Sequence, residues 1–303
     1  MYYEELFEQA SSCWVRYDRY ELKKAKNGIE YVVPAPNAKP DVYNPLRNPE
    51  ELVLDALNVG LLSMGRKSPE VIQQGVMDFV HKYGLFGMMT ALPTTPKFMD
   101  YESVYLALNP YIQEESMPTG KYLELFYPFD KLDLIINGTD SYWNINEDAM
   151  MQALALTFSE QPMAVSMGFQ RQYAERYDWL AAQFKDWAFN MLTTYFYYED
   201  QATMSDATKR TLEKSMAAFG GMAPTYHIAL YEKPTLVWDF HSLLLGIQMM
   251  FSFMLTDEEK PLKLCKHCRK AFAASRQSAV FCSPRCKNQY NVYKSRNKKK
   301  GEK

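Results

Sequence analysis

A chain of 303 residues, 47% of them hydrophobic and 15% aromatic, carries enough apolar side chains for one large core or two smaller ones, which excludes a largely disordered protein. The net charge of −2 hides an asymmetry: residues 260–303 hold 14 of the 34 Lys and Arg and one of the 36 acids, so this tail is formally +13 and the remainder −15. Five cysteines, four of them between 265 and 286, exclude the evenly stapled framework of a secreted disulfide protein and point to a reducing, cytoplasmic setting.

The N-terminus, MYYEELFEQASS, lacks the basic and apolar regions of an export signal, so no export is expected. Cys13 reads as a small packing residue. YELKKAKNGIEYVVP predicts a hairpin turning at Asn27-Gly28, and VVPAPNAKPDVYNP predicts extended chain or loop, because proline is excluded from helix interiors and central strands. Two helices follow. In NPEELVLDALNVGLL, Asn48 is placed to cap and Pro49 to open, with Leu52/Val53, Ala56/Leu57 and Gly60/Leu61 recurring every four residues. In SPEVIQQGVMDFVHKYG, Ser68 caps, Pro69 opens and Gly84 stops, and Val71/Ile72, Val76, Phe79/Val80 and Tyr83 form one face.

Residues 91–145 show no long period and predict loops and short strands, with KYLELFYPF and LDLIING as strand candidates and Asn137-Gly138-Thr139 as a turn. A long helix is predicted over about 170–198. Tyr173, Tyr177, Leu180, Phe184, Trp187, Met191 and Tyr195 form its core face, with Arg171, Glu175, Asp178 and Asp186 off that face. Ser205 caps a further helix that ends before Gly220-Gly221, and another is expected from about 235 to 256. The latter carries LLLGIQMMFSFML, 13 apolar residues and too few for a bilayer, which needs about 20. TDEEKPLK, 256–263, reads as a polar hinge, so the expected division is a body over 1–256 and a small domain over 257–303.

The small domain carries the strongest chemical signal. Cys265-x2-Cys268 and Cys282-x3-Cys286 are separated by 13 residues, room for a short hairpin. Four thiolates in two close pairs suit one tetrahedral Zn2+, so Cys265, Cys268, Cys282 and Cys286 are the candidate ligands of one structural ion. Ser283 and Pro284 predict a helix start that places Cys286 in the first turn, where the helix end favours a thiolate; Tyr290 and Tyr293 continue its face. Knuckle, hairpin and ligand-bearing helix make the treble-clef plan. His267, inside the first pair, is expected to stay outside a shell that four cysteines complete.

C-x-x-C, then FCS, then a cysteine followed by Lys287-Asn288-Gln289 resembles the CGNR-type zinc fingers at the C-terminus of bacterial proteins thought to regulate transcription. Cys286 and Asn288 match that motif, whereas Lys287 replaces its glycine, Gln289 its arginine, and the second pair is one residue tighter. DFVHKYGLFGMM, 78–89, is similar to a segment of uncharacterised bacterial proteins ending in the same finger. The resemblance covers about 40 residues and implies nucleic-acid binding, DNA favoured over RNA. The candidate contacts are Arg276, Arg285, Lys287, Asn288, Lys294, Arg296, Lys298, Lys299 and Lys300. Cations supply phosphate contacts, and amide or guanidinium side chains can read base edges.

No catalytic constellation is recognisable around the four histidines His81, His227, His241 and His267, and no phosphate loop or nucleophile elbow is present. Asp239 and His241 read as a core pair on an apolar helix. The sequence therefore predicts an α+β protein: a mainly helical body with some short strands, and a C-terminal four-cysteine zinc finger of treble-clef type. Its expected function is a zinc-containing DNA-binding transcription regulator whose body senses a ligand or partner, with no membrane partner. The alternative is a protein-interaction module in which zinc is purely structural.

Overall fold

The structure is a computed structural model that describes residues 10–11, 14–24, 28–65, 67–87, 103–105, 116–118, 175–217, 225–240 and 242–301. Cys13, Asn27, Arg171, Tyr173, the candidate strands within 121–138, the turn at Asn137, Gly220, Gly221 and His241 lie outside the described residues. In chain order the first elements are β1 (Ala10–Ser11), β2 (Trp14–Tyr17), β3 (Tyr20–Lys24), β4 (Glu30–Pro34), β5 (Pro40–Tyr43), a 3-10 turn at Pro45–Arg47, α1 (Pro49–Met64) and α2 (Pro69–Tyr83). Then come β6 (Ser103–Tyr105), β7 (Ser116–Pro118), β8 (Glu175–Arg176), α3 (Tyr177–Glu199), α4 (Asp206–Ala217), β9 (Thr225–Leu230) and β10 (Pro234–Asp239). The chain continues through α5 (Leu243–Leu255), β11 (Leu262–Leu264), β12 (Ala271–Ala273) and α6 (Pro284–Gly301). The described residues are thus a mixture of helix and small, mostly antiparallel sheets, as an α+β chain is expected to be. No helix among them is long and apolar enough to cross a membrane.

The chain forms two compact units, one of residues 1–47, 73–182 and 222–246, the other of 48–72, 183–221 and 247–303.

The first unit is built on short antiparallel pairings, β2 with β5, β3 with β4 and β8, β6 with β7, and β9 with β10; β1 adds to β10 in parallel. β3 and β4 form the expected hairpin, with Tyr20 opposite Pro34 and Lys24 opposite Glu30. Gly28 takes φ +85°, a left-handed conformation that glycine adopts without strain. Pro34 ends β4 and Pro40 opens β5, positions where a missing N–H costs the ladder least. Trp14, Tyr31, Val32, Phe79, Val80 and Phe86 are buried in this unit. Polar ends in this unit are satisfied: the Trp14 Nε1–H donates to the Leu85 carbonyl at 3.0 Å and the Tyr43 hydroxyl to the Tyr83 carbonyl at 2.6 Å. The Tyr20 N–H donates to His81 Nε2 at 3.2 Å, while His81 Nδ1 lies 2.7 Å from the Met77 carbonyl. His81 is thereby committed to structure.

Several sequence expectations shift. The helix expected from about 170 begins at Tyr177, because Glu175 and Arg176 pair with β4. Glu175, expected off the core face, is fully buried and accepts the Phe86 N–H at 2.8 Å. The helix expected from about 235 begins at Leu243. Thr235–Trp238 instead alternate in a strand against β9, and Asp239 closes that strand. The Ser242 hydroxyl accepts the Leu245 N–H at 3.1 Å and so starts α5. Asn48 makes no side-chain cap; its amide donates to Glu51 Oε2 at 2.7 Å. Val71 is exposed, so the buried face of α2 starts at Val76. Gly84 does end α2, with φ +88°.

In the second unit α1 buries Leu52, Val53, Ala56 and Leu57, and α3 buries Phe184, Trp187 and Met191. Gly60 marks their crossing: a Cβ there would lie 1.9 Å from the Phe184 carbonyl oxygen, so only glycine permits this approach. Ile247, Met250, Phe251 and Met254 of α5 are also buried. Ser205 caps α4 as expected, its hydroxyl accepting the Thr208 N–H at 3.2 Å.

Candidate metal centre and basic helix

β11 and β12 form a hairpin in which Leu262 faces Ala273 and Leu264 faces Ala271. The first cysteine pair occupies its turn. The Arg269 N–H donates to the Cys265 carbonyl and the Cys265 N–H to the Lys270 carbonyl, each at 2.9 Å. Arg269 closes the turn at φ +61°, an unusual left-handed conformation for arginine that brings Cys268 back toward Cys265. The sequence reading put the hairpin between the two cysteine pairs. The structure instead makes the first pair the hairpin tip, which projects both sulfurs from one tight bend.

The second pair is carried by the entry to α6. The Ser283 hydroxyl accepts the Cys286 N–H at 3.2 Å, and Pro284 opens the helix. The Lys266 N–H donates to the Val280 carbonyl at 2.9 Å and ties the approach to α6 against the first turn. Phe272, Ala274, Ala279 and Phe281 pack around Cys265 and Cys286 as a small core of their own.

These constraints bring the sulfurs of Cys265, Cys268, Cys282 and Cys286 within 4.8 Å of one another. Cys268 and Cys282 are 3.7 Å apart, and Cys282 and Cys286 are 3.5 Å apart. A disulfide needs about 2.05 Å, whereas a tetrahedral ion with bonds of about 2.3 Å spaces its sulfurs by about 3.8 Å. The donor set therefore fits a thiolate-preferring metal ion. Desolvation pushes the Cys265 thiol up, but N–H groups of Cys268, Cys282 and His267 directed at its sulfur more than offset this and bring it to about 6. Cys282 is pushed up to about 12, by desolvation first and then by its sulfur contacts with Cys286, Cys265 and Cys268. Cys268 is also raised, chiefly by desolvation. Four thiols held this close cannot all ionise without a cation among them.

His267 points away from the sulfurs. Its Nε2 lies 3.0 Å from Gln289 Oε1, and its ring stacks on Tyr293 with centroids 5.8 Å apart. Tyr290 packs on Phe281, with the Lys266 ammonium 5.5 Å above its ring. The turn and α6 are thus joined by side chains as well as by the cysteines.

Arg285, Lys287, Asn288, Lys294 and Arg296 are exposed on α6, and Arg276 is exposed in the loop before it. Lys298, Lys299 and Lys300 fall in the last turns of the same helix. No residue of α6 is acidic, and none of the described cations from 266 to 296 forms an ion pair with a described carboxylate. Gln289, singled out with Asn288 for base reading, is occupied by His267. One residue that the sequence reading passed over anchors this region. Asn58 of α1 accepts the Ala271 N–H at 2.8 Å, and its amide lies 3.5 Å from the Ala271 carbonyl. The only signal in sequence is a polar residue amid the apolar positions of a core helix.

Comparison with family models, with curated proteins and with solved structures finds no match to this chain.

Proposed function

We propose that residues 262–301 are a zinc finger of treble-clef type whose helix α6 binds duplex DNA, and that the protein regulates transcription. Four sulfurs within 4.8 Å of one another, on a hairpin turn and a helix start, support the finger and its zinc. The observation that carries the DNA reading is α6 itself: a helix of 18 residues without an acid, whose described cations are exposed and in no described ion pair. Such a rod fits a polyphosphate backbone, because counterion release supplies affinity without base reading. Zinc has a structural role here: it joins a hairpin and a helix with little core of their own, and metal binding contributes on the order of 10–16 kcal/mol in comparable small domains. Its four cysteines leave no open coordination position for substrate.

Fluorescence anisotropy of the zinc-loaded full chain on a duplex, across a salt series, tests the reading. Affinity that falls steeply and linearly on a log–log plot supports it, and absence of binding at low salt refutes it. Exposed Val280, Val292 and Tyr293 favour a second reading, a finger that docks on protein, which is taken up if DNA binding fails.

A further inference from the structure

A cavity of about 1070 Å³ opens in the second unit, lined by α3, α4, the end of α5 and the β11 hairpin. Its deepest residues are apolar or neutral: Met191, Thr193 and Leu262 are buried, and Leu212, Met216 and Leu255 are half-buried. Its outer residues have a different chemistry. Tyr195, Tyr197 and Tyr198 line it from α3, and Glu199, Glu213 and Glu258 are exposed around it. The Tyr197 hydroxyl donates to Glu213 at 2.8 Å, which fixes that ring beside a carboxylate. Asp257 also lines the cavity, but its carboxylate accepts the N–H groups of Glu259 and Lys260 and serves the local turn. The single cation of the lining, Lys263, donates to the Gln277 carbonyl on the hairpin side.

From this arrangement we infer that the cavity binds a small amphiphilic organic cation, its apolar body against Met191, Leu212 and Met216 and its charge among the tyrosine rings and Glu199 and Glu213. Aromatic faces and carboxylates both attract a cation, and the apolar floor takes the hydrocarbon that a metal ion lacks. An anion meets repulsion from the rim. A neutral ligand gains nothing from the charge of the rim carboxylates. This inference rests on the regulator reading together with the ligand sensing that the sequence leads one to expect, and names the ligand class. Because Leu262, Lys263 and Gln277 line the same cavity, the ligand contacts the hairpin that carries the first cysteine pair.

Calorimetric titration of the full, zinc-loaded chain with tetraphenylphosphonium, and in parallel with the equally shaped anion tetraphenylborate, tests it. Phosphonium is expected to bind and borate to bind at least tenfold more weakly. Glu199→Gln with Glu213→Gln is expected to weaken phosphonium binding by roughly 3- to 10-fold, as for exposed charge pairs. Tyr198→Ala, at an exposed ring, is expected to weaken it by roughly 2- to 5-fold. Equal binding of both ions, no binding of phosphonium, or binding indifferent to these substitutions overturns the inference. The titration reads the cavity alone, so its failure is distinct from failure to bind DNA.

Discussion

At the scale of single residues, the four cysteines carry the most specific chemistry. Zinc requires thiolates, yet Cys268 and Cys282 are both shifted toward the thiol form without a cation. Metal uptake at pH 7 is therefore expected to release protons from both, measurable with an indicator dye during zinc titration. Cys265 runs the other way. Its thiolate is favoured in the fold, so its contribution is present above the ordinary thiol range and is lost as pH falls through about 6. Because protons compete with a metal ion for all four thiolates, metal retention is expected to be lost on acidification, as read by a chromophoric chelator. Elemental analysis should find one ion per chain, and Cys286→Ser should abolish it and unfold the hairpin and α6. Gly60 is a residue of another kind. With the Phe184 carbonyl 1.9 Å from any added Cβ, Gly60→Ala must separate α1 from α3. It is expected to cost about 1–3 kcal/mol or more, visible as a lower midpoint in urea with an unchanged slope.

Elements meet in this protein through a few polar contacts as well as apolar faces. β12 is held to α1 by the paired bonds between Asn58 and Ala271, although these residues are 213 apart in sequence. Asn58→Ala leaves a part-buried N–H without its acceptor, a loss of about 1–3 kcal/mol. Hydrogen exchange at Ala271 should rise markedly, whereas exchange in β4 should not change. The same contact bears on deletion of residues 257–303. The hinge reading leads one to expect an independent body, but this deletion uncovers the side of α1 that carries Asn58. The shortened chain is therefore expected to melt at a lower temperature than the full chain; an unchanged melt would make the anchor energetically negligible.

The acidic body and the basic C-terminal segment together govern how the whole molecule approaches an anion. If α6 neutralises about five phosphates, the log–log salt slope for duplex DNA should be roughly −4 to −5. Replacing Lys298, Lys299 and Lys300 by Ala should flatten that slope by up to about three units and weaken all sequences alike. Asn288→Ala should change sequence preference with little change in slope, because its exposed amide is uncharged and not engaged by His267. The formal −15 outside residues 260–303 opposes binding only within about a Debye length, roughly 8 Å at physiological salt. Comparing the full chain at low and physiological salt measures that opposition directly.

What the sequence determined by itself is local in origin. A two-and-three-residue spacing of cysteines, a serine and proline at a helix start, an apolar repeat in α1 and a run of cations are each legible within a few residues. The physical rule behind each acts along the chain: ligand geometry, capping, the helical period and like charge. Tertiary structure decided what depends on distant partners. Glu175 looks like a solvent-facing acid until β4 claims its backbone and the Phe86 N–H claims its carboxylate. Thr235–Trp238 continue an apolar helical pattern until pairing with β9 makes them a strand. Asn58 becomes an anchor because Ala271 arrives from the far end of the chain. Gly60 is required because α3 crosses there. In each case the energy that settles the conformation lies in a contact across tens or hundreds of residues, and no local pattern encodes the partner.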